Sequence, residues 1–122
     1  MGEQMKIRLT GIDAPERDQM LGDVSKLSLK DCVDQSPDIR VIVQAKNETD
    51  KYERALGKVM AGDVDCNLWQ VGSGMAWFYR QYSSQLGAGD AAKYEAAEKA
   101  AKGMNAGIWM EDMQPAWEYR KK

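Results

Sequence analysis

Polar and apolar residues alternate over Lys6-Ile-Arg-Leu-Thr-Gly-Ile12, with Ile7, Leu9 and Gly11 on one face and Arg8, Thr10 and Ile12 on the other. A period of two is that of a strand, so Arg8 points away from the face that carries Ile7 and Leu9. Pro15, with φ held at about −65°, stops this strand in a rigid turn. From Met20 to Val33 the period lengthens: Leu21, Val24, Leu27 and Asp31-Cys32 recur at helical spacing, which predicts a helix with those residues inward. Ser36-Pro37-Asp38 marks a loop. Ile39 to Ala45 is rich in β-branched residues and is the strongest strand pattern in the chain. A polar connection, Lys46 to Lys51, leads to a partner strand over Arg54 to Met60, with Leu56 and Lys58 on one face and Gly57 and Val59 on the other; Ala61-Gly62-Asp63 turns the chain. Asn67 to Met75 reads as a short helix with Leu68 and Val71 inward. After the aromatic segment Trp77 to Tyr82, Asp90 is placed as the cap of a last helix, Ala91 to Met104, striped by Tyr94, Ala97, Ala101 and Met104. Gly107-Ile-Trp109 and Pro115-Ala-Trp117 close the chain against the core. Strands first and helices last predict a small α+β fold, one domain over residues 1–122, built on a curled antiparallel sheet.

Composition changes this picture little but narrows the chemistry. A chain of 122 residues, 43% hydrophobic and 30% charged, has room for a real core. No apolar run is long enough to span a bilayer, and Met1 to Lys6 lacks the apolar region of a signal peptide; the compartment stays open. Histidine is absent, which removes the commonest general base and zinc ligand. The net charge of −2 argues against coating nucleic acid by bulk electrostatics, while a local charged cleft remains compatible with it. Cys32 and Cys66 form no CxxC pair and are read as two buried thiols acting as small hydrophobes, with a disulfide between them as the alternative.

The candidate chemistry lies in Arg8-Leu-Thr-Gly-Ile-Asp13-Ala-Pro-Glu16, with a second arginine in Asp50-Lys-Tyr-Glu-Arg54-Ala-Leu-Gly57. Taken singly, each arginine is an exposed strand residue and the acids an ordinary turn. Together, two arginines and two carboxylates are the residue types that metal-assisted phosphodiester cleavage uses. Tyr79 and Tyr82 have rings that can stack on bases, but in so aromatic a segment core packing around Trp77 and Phe78 is the stronger reading. Trp69, Trp109 and Trp117 read as core or tail anchors. Lys99, Lys102, Arg120, Lys121 and Lys122 read as a solvated face.

These motifs, in this order, resemble the staphylococcal nuclease (thermonuclease-like) family. The resemblance continues through Val64-Asp-Cys-Asn-Leu68, Gly74-Met-Ala-Trp77, Tyr94 to Lys102 with Gly107-Ile-Trp109, and a bacterial-type tail, Pro115-Ala-Trp-Glu-Tyr-Arg120. It implies an OB-fold barrel decorated by about three helices and calcium-dependent hydrolysis of DNA and RNA, single-stranded or frayed. It implies that Arg8 and Arg54 are the catalytic arginines and that Glu16 orients or deprotonates the attacking water. Asp13 and the carbonyl of Ala14 would ligate Ca²⁺, and Lys51 and Tyr52 would touch a terminal phosphate of the substrate. Members of the family are often exported in bacteria.

The family also carries a calcium-binding aspartate in an Asp-Gly-Asp-Thr-like segment upstream of the Arg8 strand, whereas this sequence starts seven residues before Arg8. The resemblance therefore implies a partial barrel, truncated at its N-terminal side, with weakened calcium affinity. It also implies open strand edges through which a homodimer or strand exchange can form. A binding module that holds nucleic acid or a protein without cleaving is the alternative to an active nuclease.

Overall fold

The computed structural model describes residues 7–46, 55–87 and 89–121. Along the chain these form β1 (Ile7–Leu9), β2 (Ile12–Asp13), α1 (Gly22–Val33), β3 (Ile39–Lys46), β4 (Ala55–Ala61), β5 (Val64–Asp65), α2 (Cys66–Gly72), β6 (Trp77–Phe78), α3 (Asp90–Gly103) and α4 (Ala116–Tyr119). Short 3₁₀ turns cover Arg80–Gln85 and Gly107–Trp109. The α+β class expected from the pattern holds, and a single-turn fourth helix joins the expected three.

The sheet is mixed where an antiparallel one was expected. β4 is the centre: β3 pairs with it antiparallel, β5 adds at its end, and β1 lies parallel to it with Arg8 opposite Leu56. A parallel neighbour requires a long crossover, and α1 and β3 supply it between β1 and β4. Among the described residues β2 and β6 form a separate two-stranded sheet, with Asp13 opposite Trp77, and neither sheet closes into a barrel. Among the described residues β3 is an edge strand, and its Ile39, Val41, Ile42 and Val43 are all exposed.

The single expected strand from Lys6 to Ile12 is two strands broken at Thr10-Gly11. Gly11 has φ +76°, a left-handed conformation that β-branched and bulky residues resist, and a Cβ there would also press on the Leu86 side chain. The break lets β1 join one sheet and β2 the other, and it carries Asp13 out of the first sheet toward the aromatic segment. Asn67, fully buried at the start of α2, holds this corner. Its side chain donates to the carbonyls of Thr10 and Gly57 at 3.2 and 3.1 Å and accepts from the Val59 N–H at 3.2 Å.

Three apolar clusters make the core. Ile12, Val71, Ala76, Phe78 and Tyr94 form the first, between the small sheet, α2 and α3. Cys32, Ala61 and Cys66 form the second, and Trp77, Ile108 and Ala116 the third. Trp77 and Phe78 are thus core residues, as the aromatic segment suggested, and Trp117 is a tail anchor, edge-on to Trp77 at 5.9 Å. Trp69 is not: it lies at the surface and donates from Nε1 to the Ser28 hydroxyl at 3.1 Å.

Two helices turn differently from their hydrophobic patterns. α1 exposes Val24 and Leu27 and buries Ser25 and Cys32. Part of its contact with α2 and the residues just after it is polar: the Ser25 hydroxyl donates to the Met75 carbonyl at 2.7 Å, and Gln70 donates to the Ser25 carbonyl at 2.9 Å. In α3 the buried stripe is Tyr94, Glu98 and Ala101, while Met104 is largely exposed. Gly89 occupies the cap position expected of Asp90, whose carboxylate instead accepts from Lys58 Nζ at 2.7 Å. Glu98 is drawn inward because it accepts from the Phe78 N–H at 2.7 Å and pairs with Arg80 at 3.0 Å.

The cysteines also depart from expectation. Cys32 and Cys66 are not free thiols but a disulfide, with Cα atoms 5.9 Å apart. The end of α1 and the start of α2 meet there over β4, bringing two fully buried cysteines into the range a bridge needs. Among the described residues no helix is long and apolar enough to cross a membrane.

Candidate active site

Asp13 ends β2 and Glu16 follows it across Pro15, so the two acids leave the small sheet on one side of a turn that proline keeps short. The turn is held from below by the start of α1. The Glu16 N–H donates to Gln19 Oε1 at 3.1 Å and its carbonyl accepts from the Gln19 N–H at 2.9 Å. Gly22 lies so close that a Cβ on it would be 2.2 Å from the Glu16 carbonyl oxygen. Only glycine allows α1 to approach the turn this closely.

Arg8 reaches the same place from β1. Its guanidinium donates to the Ile12 carbonyl at 3.1 Å and to the Leu9 carbonyl at 3.2 Å, and stands 3.8 Å from Asp13 Oδ1. The Tyr79 ring covers it, 5.4 Å from its centroid to the guanidinium carbon. Tyr79 is stacked in turn on Trp117 at 5.3 Å. The structure therefore brings Arg8, Asp13, Ala14 and Glu16 together. Lys51, Tyr52 and Arg54 lie outside the described residues; the strand they precede begins at Ala55, opposite Ile7 in β1.

A further residue belongs to this cluster, and it was read as part of a solvated face. Arg120, at the end of α4, sends its guanidinium across the turn. Nη1 donates to Asp13 Oδ1 at 2.9 Å, Nη2 to Asp13 Oδ2 at 2.8 Å, and Nη1 also to Glu16 Oε1 at 2.6 Å. The fork matches the buried Asp13 carboxylate bidentately, the geometry in which guanidinium and carboxylate bind most strongly. These bonds, Asp13 first, raise the guanidinium's proton affinity further above its already high value, so the group is always charged. Two tail residues before it are tied down as well: the Tyr119 hydroxyl donates to Asp18 at 3.0 Å, and Gln19 donates to the Gln114 carbonyl at 2.6 Å. Arg120 lies 107 residues from Asp13, too far for any local pattern to report the contact. The available signal was the tail itself, an arginine following two aromatics in a segment that resembles the family's bacterial tail.

Arg120 also shows what the acids can hold. Three carboxylate oxygens converge on one positive group at 2.6–2.9 Å, and hard oxygens are the donors a calcium ion takes. Among the described residues no group of three or more His, Cys, Asp and Glu is gathered that could hold a metal. The donor chemistry fits a divalent cation through two carboxylates, with Arg120 in the way.

Comparison with known proteins gives a consistent answer. Residues 6–111 match the family described as staphylococcal nuclease homologue. An uncharacterized endonuclease of Haemophilus influenzae is 37% identical over 98% of this chain and 64% of its own length. A micrococcal nuclease of Shigella flexneri is 34% identical over 98% of this chain and 70% of its own length. A probable staphylococcal-like nuclease of rice is 30% identical over 99% of this chain and 34% of its own. The chain thus spans about two thirds of the bacterial relatives and a third of the plant one.

Proposed function

Since the chain belongs to the staphylococcal nuclease homologue family, we propose that it hydrolyses phosphodiester bonds of DNA and RNA, on single-stranded or frayed substrate, with calcium as cofactor. The observation that carries this reading is the convergence of Arg8, Asp13 and Glu16 on one turn, with Arg8 3.8 Å from Asp13 and both acids accepting from one guanidinium. In this reading Asp13 and the Ala14 carbonyl hold the cation. When bound, the cation polarises a phosphoryl oxygen and favours a nucleophile at neutral pH. Glu16 accepts a proton from the attacking water as oxygen bonds to phosphorus, and the P–O bond to the departing sugar breaks. Arg8 and Arg54 offer planar donor forks to the oxygens on which charge accumulates, where lysine would give charge without the fork. Lys51 and Tyr52 bind a terminal phosphate. Asp13 is buried beside Arg8, and the more exposed Glu16 is the acid open to solvent water.

The test is cleavage of single-stranded DNA with calcium and then with chelator. The expected result is cleavage that chelator abolishes and that falls by about 10²–10⁴ in Glu16→Gln and by about 10²–10³ in Arg54→Ala. Binding of the same DNA without cleavage at any calcium concentration supports the alternative, a binding module of this fold.

A further inference from the structure

We propose that Arg120 is a built-in counter-cation: the C-terminal segment is a latch whose guanidinium occupies the cation place on Asp13 and Glu16, and a divalent cation binds there only by displacing it. This inference rests on the reading of Asp13 as a cation ligand. The geometry is specific. Arg120 takes both oxygens of Asp13 and Oε1 of Glu16, the same oxygens that a cation bridging the two acids would use. A guanidinium cannot lose its charge near neutral pH, so the pair is broken by exchange and not by titration. Exchange is feasible because the latch is anchored unequally. Its base is fixed, with Ala116 fully buried and Trp117 against Trp77 and Tyr79, while the Arg120 side chain is 40% exposed. The tip is held by the Arg120 fork and the exposed Tyr119–Asp18 hydrogen bond, so it can lift while the aromatic base stays seated.

The lift also bears on Arg8. The Tyr79 ring contacts both the Arg8 guanidinium and the Trp117 ring, so the latch base and the proposed catalytic arginine share one aromatic neighbour. A latch that lifts only at its tip frees the acids and leaves Arg8 in place. The chain then binds cation weakly until the tip is released, because apparent affinity is reduced by the fraction of molecules that are open.

The test is cation affinity, read by isothermal titration with Ca²⁺ and by tryptophan-sensitised Tb³⁺ luminescence, on the wild-type chain, Arg120→Gln, Arg120→Lys and Asp13→Asn. The expected result is affinity about tenfold tighter in Arg120→Gln, an intermediate value in Arg120→Lys, and loss of binding in Asp13→Asn. Hydrogen exchange on the wild-type chain gives an independent measurement should Arg120→Gln fold poorly: calcium is expected to speed exchange at residues 118–121 and not at 116–117. Equal or weaker affinity in a folded Arg120→Gln overturns the latch, as does exchange at 118–121 that calcium leaves unchanged. Loss of cleavage with cation binding intact would instead count against the nuclease reading alone.

Discussion

Two clamps tie distant parts of this chain together, and they are opposites. The Cys32–Cys66 bridge joins α1 to α2, 34 residues apart, inside a cluster from which water is excluded. The Arg120 fork joins the last helix to the Asp13 turn, 107 residues apart, at a half-exposed surface. The first is covalent and remains closed whatever ions are present. The second is made of full charges near water, where another cation competes for the same oxygens. Where the fold needs permanence the chain uses sulfur; at the acids that carry the proposed chemistry it uses a bond that can be exchanged.

Breaking the covalent clamp is expected to have the largest effect on stability. Reduction, or Cys32→Ser, releases a closed loop worth about 3–4 kcal/mol in chain entropy, which lowers Tm by roughly 10–15 °C in a thermal melt. An unchanged Tm under reductant would show that the two clamps do not differ in this way. Alkaline pH separates them further. Tyr94 sits beside the covalent region: fully buried, it donates its hydroxyl to Asp65, which caps the helix that begins at Cys66. Burial, then the negative charge of Asp65, pushes its ionisation well above the ordinary tyrosine value. A proton held more tightly in the folded state stabilises below pH about 10, and that contribution is lost as pH rises further, at up to about 1.4 kcal/mol per pH unit. Denaturant midpoints should therefore fall above pH 10 in the wild-type chain and more gently in Tyr94→Phe, while the guanidinium stays charged throughout. The smallest effect is expected for the ionic clamp. Arg120→Gln should cost only about 1–2 kcal/mol, less than a fully buried pair because the arginine is part-exposed, and 1 M salt should shrink the difference. A loss as large as that of the disulfide would make the latch a structural strut.

Much of this could be read from the one-dimensional pattern. Ile39 to Lys46 and Ala55 to Ala61 are strands because β-branched and alternating residues allow little else, and Pro15 ends the short strand before it on any background. The Asp13-Ala-Pro-Glu16 turn was legible as the place for acids because its geometry is local. What failed was what depends on neighbours. Cys32 faces the core as its spacing suggested, but Val24 and Leu27 on the same stripe are exposed and Ser25 is buried, because the surface offered by α2 includes the Gln70 side chain. Glu98, which lies outside the expected stripe of Tyr94, Ala97, Ala101 and Met104, is buried because it accepts from the Phe78 N–H of β6.

By itself, then, the sequence determined the strand and helix content, the acid-bearing turn and the family, since each follows from spacing within a few residues or from motifs in order. The parallel pairing of β1 with β4, the sulfur bridge and the placement of Arg120 on Asp13 and Glu16 were decided only by tertiary structure. The physical reason is common to all three. Each joins residues dozens of positions apart, and whether such groups meet depends on how the helices pack across the sheet, which no local pattern encodes.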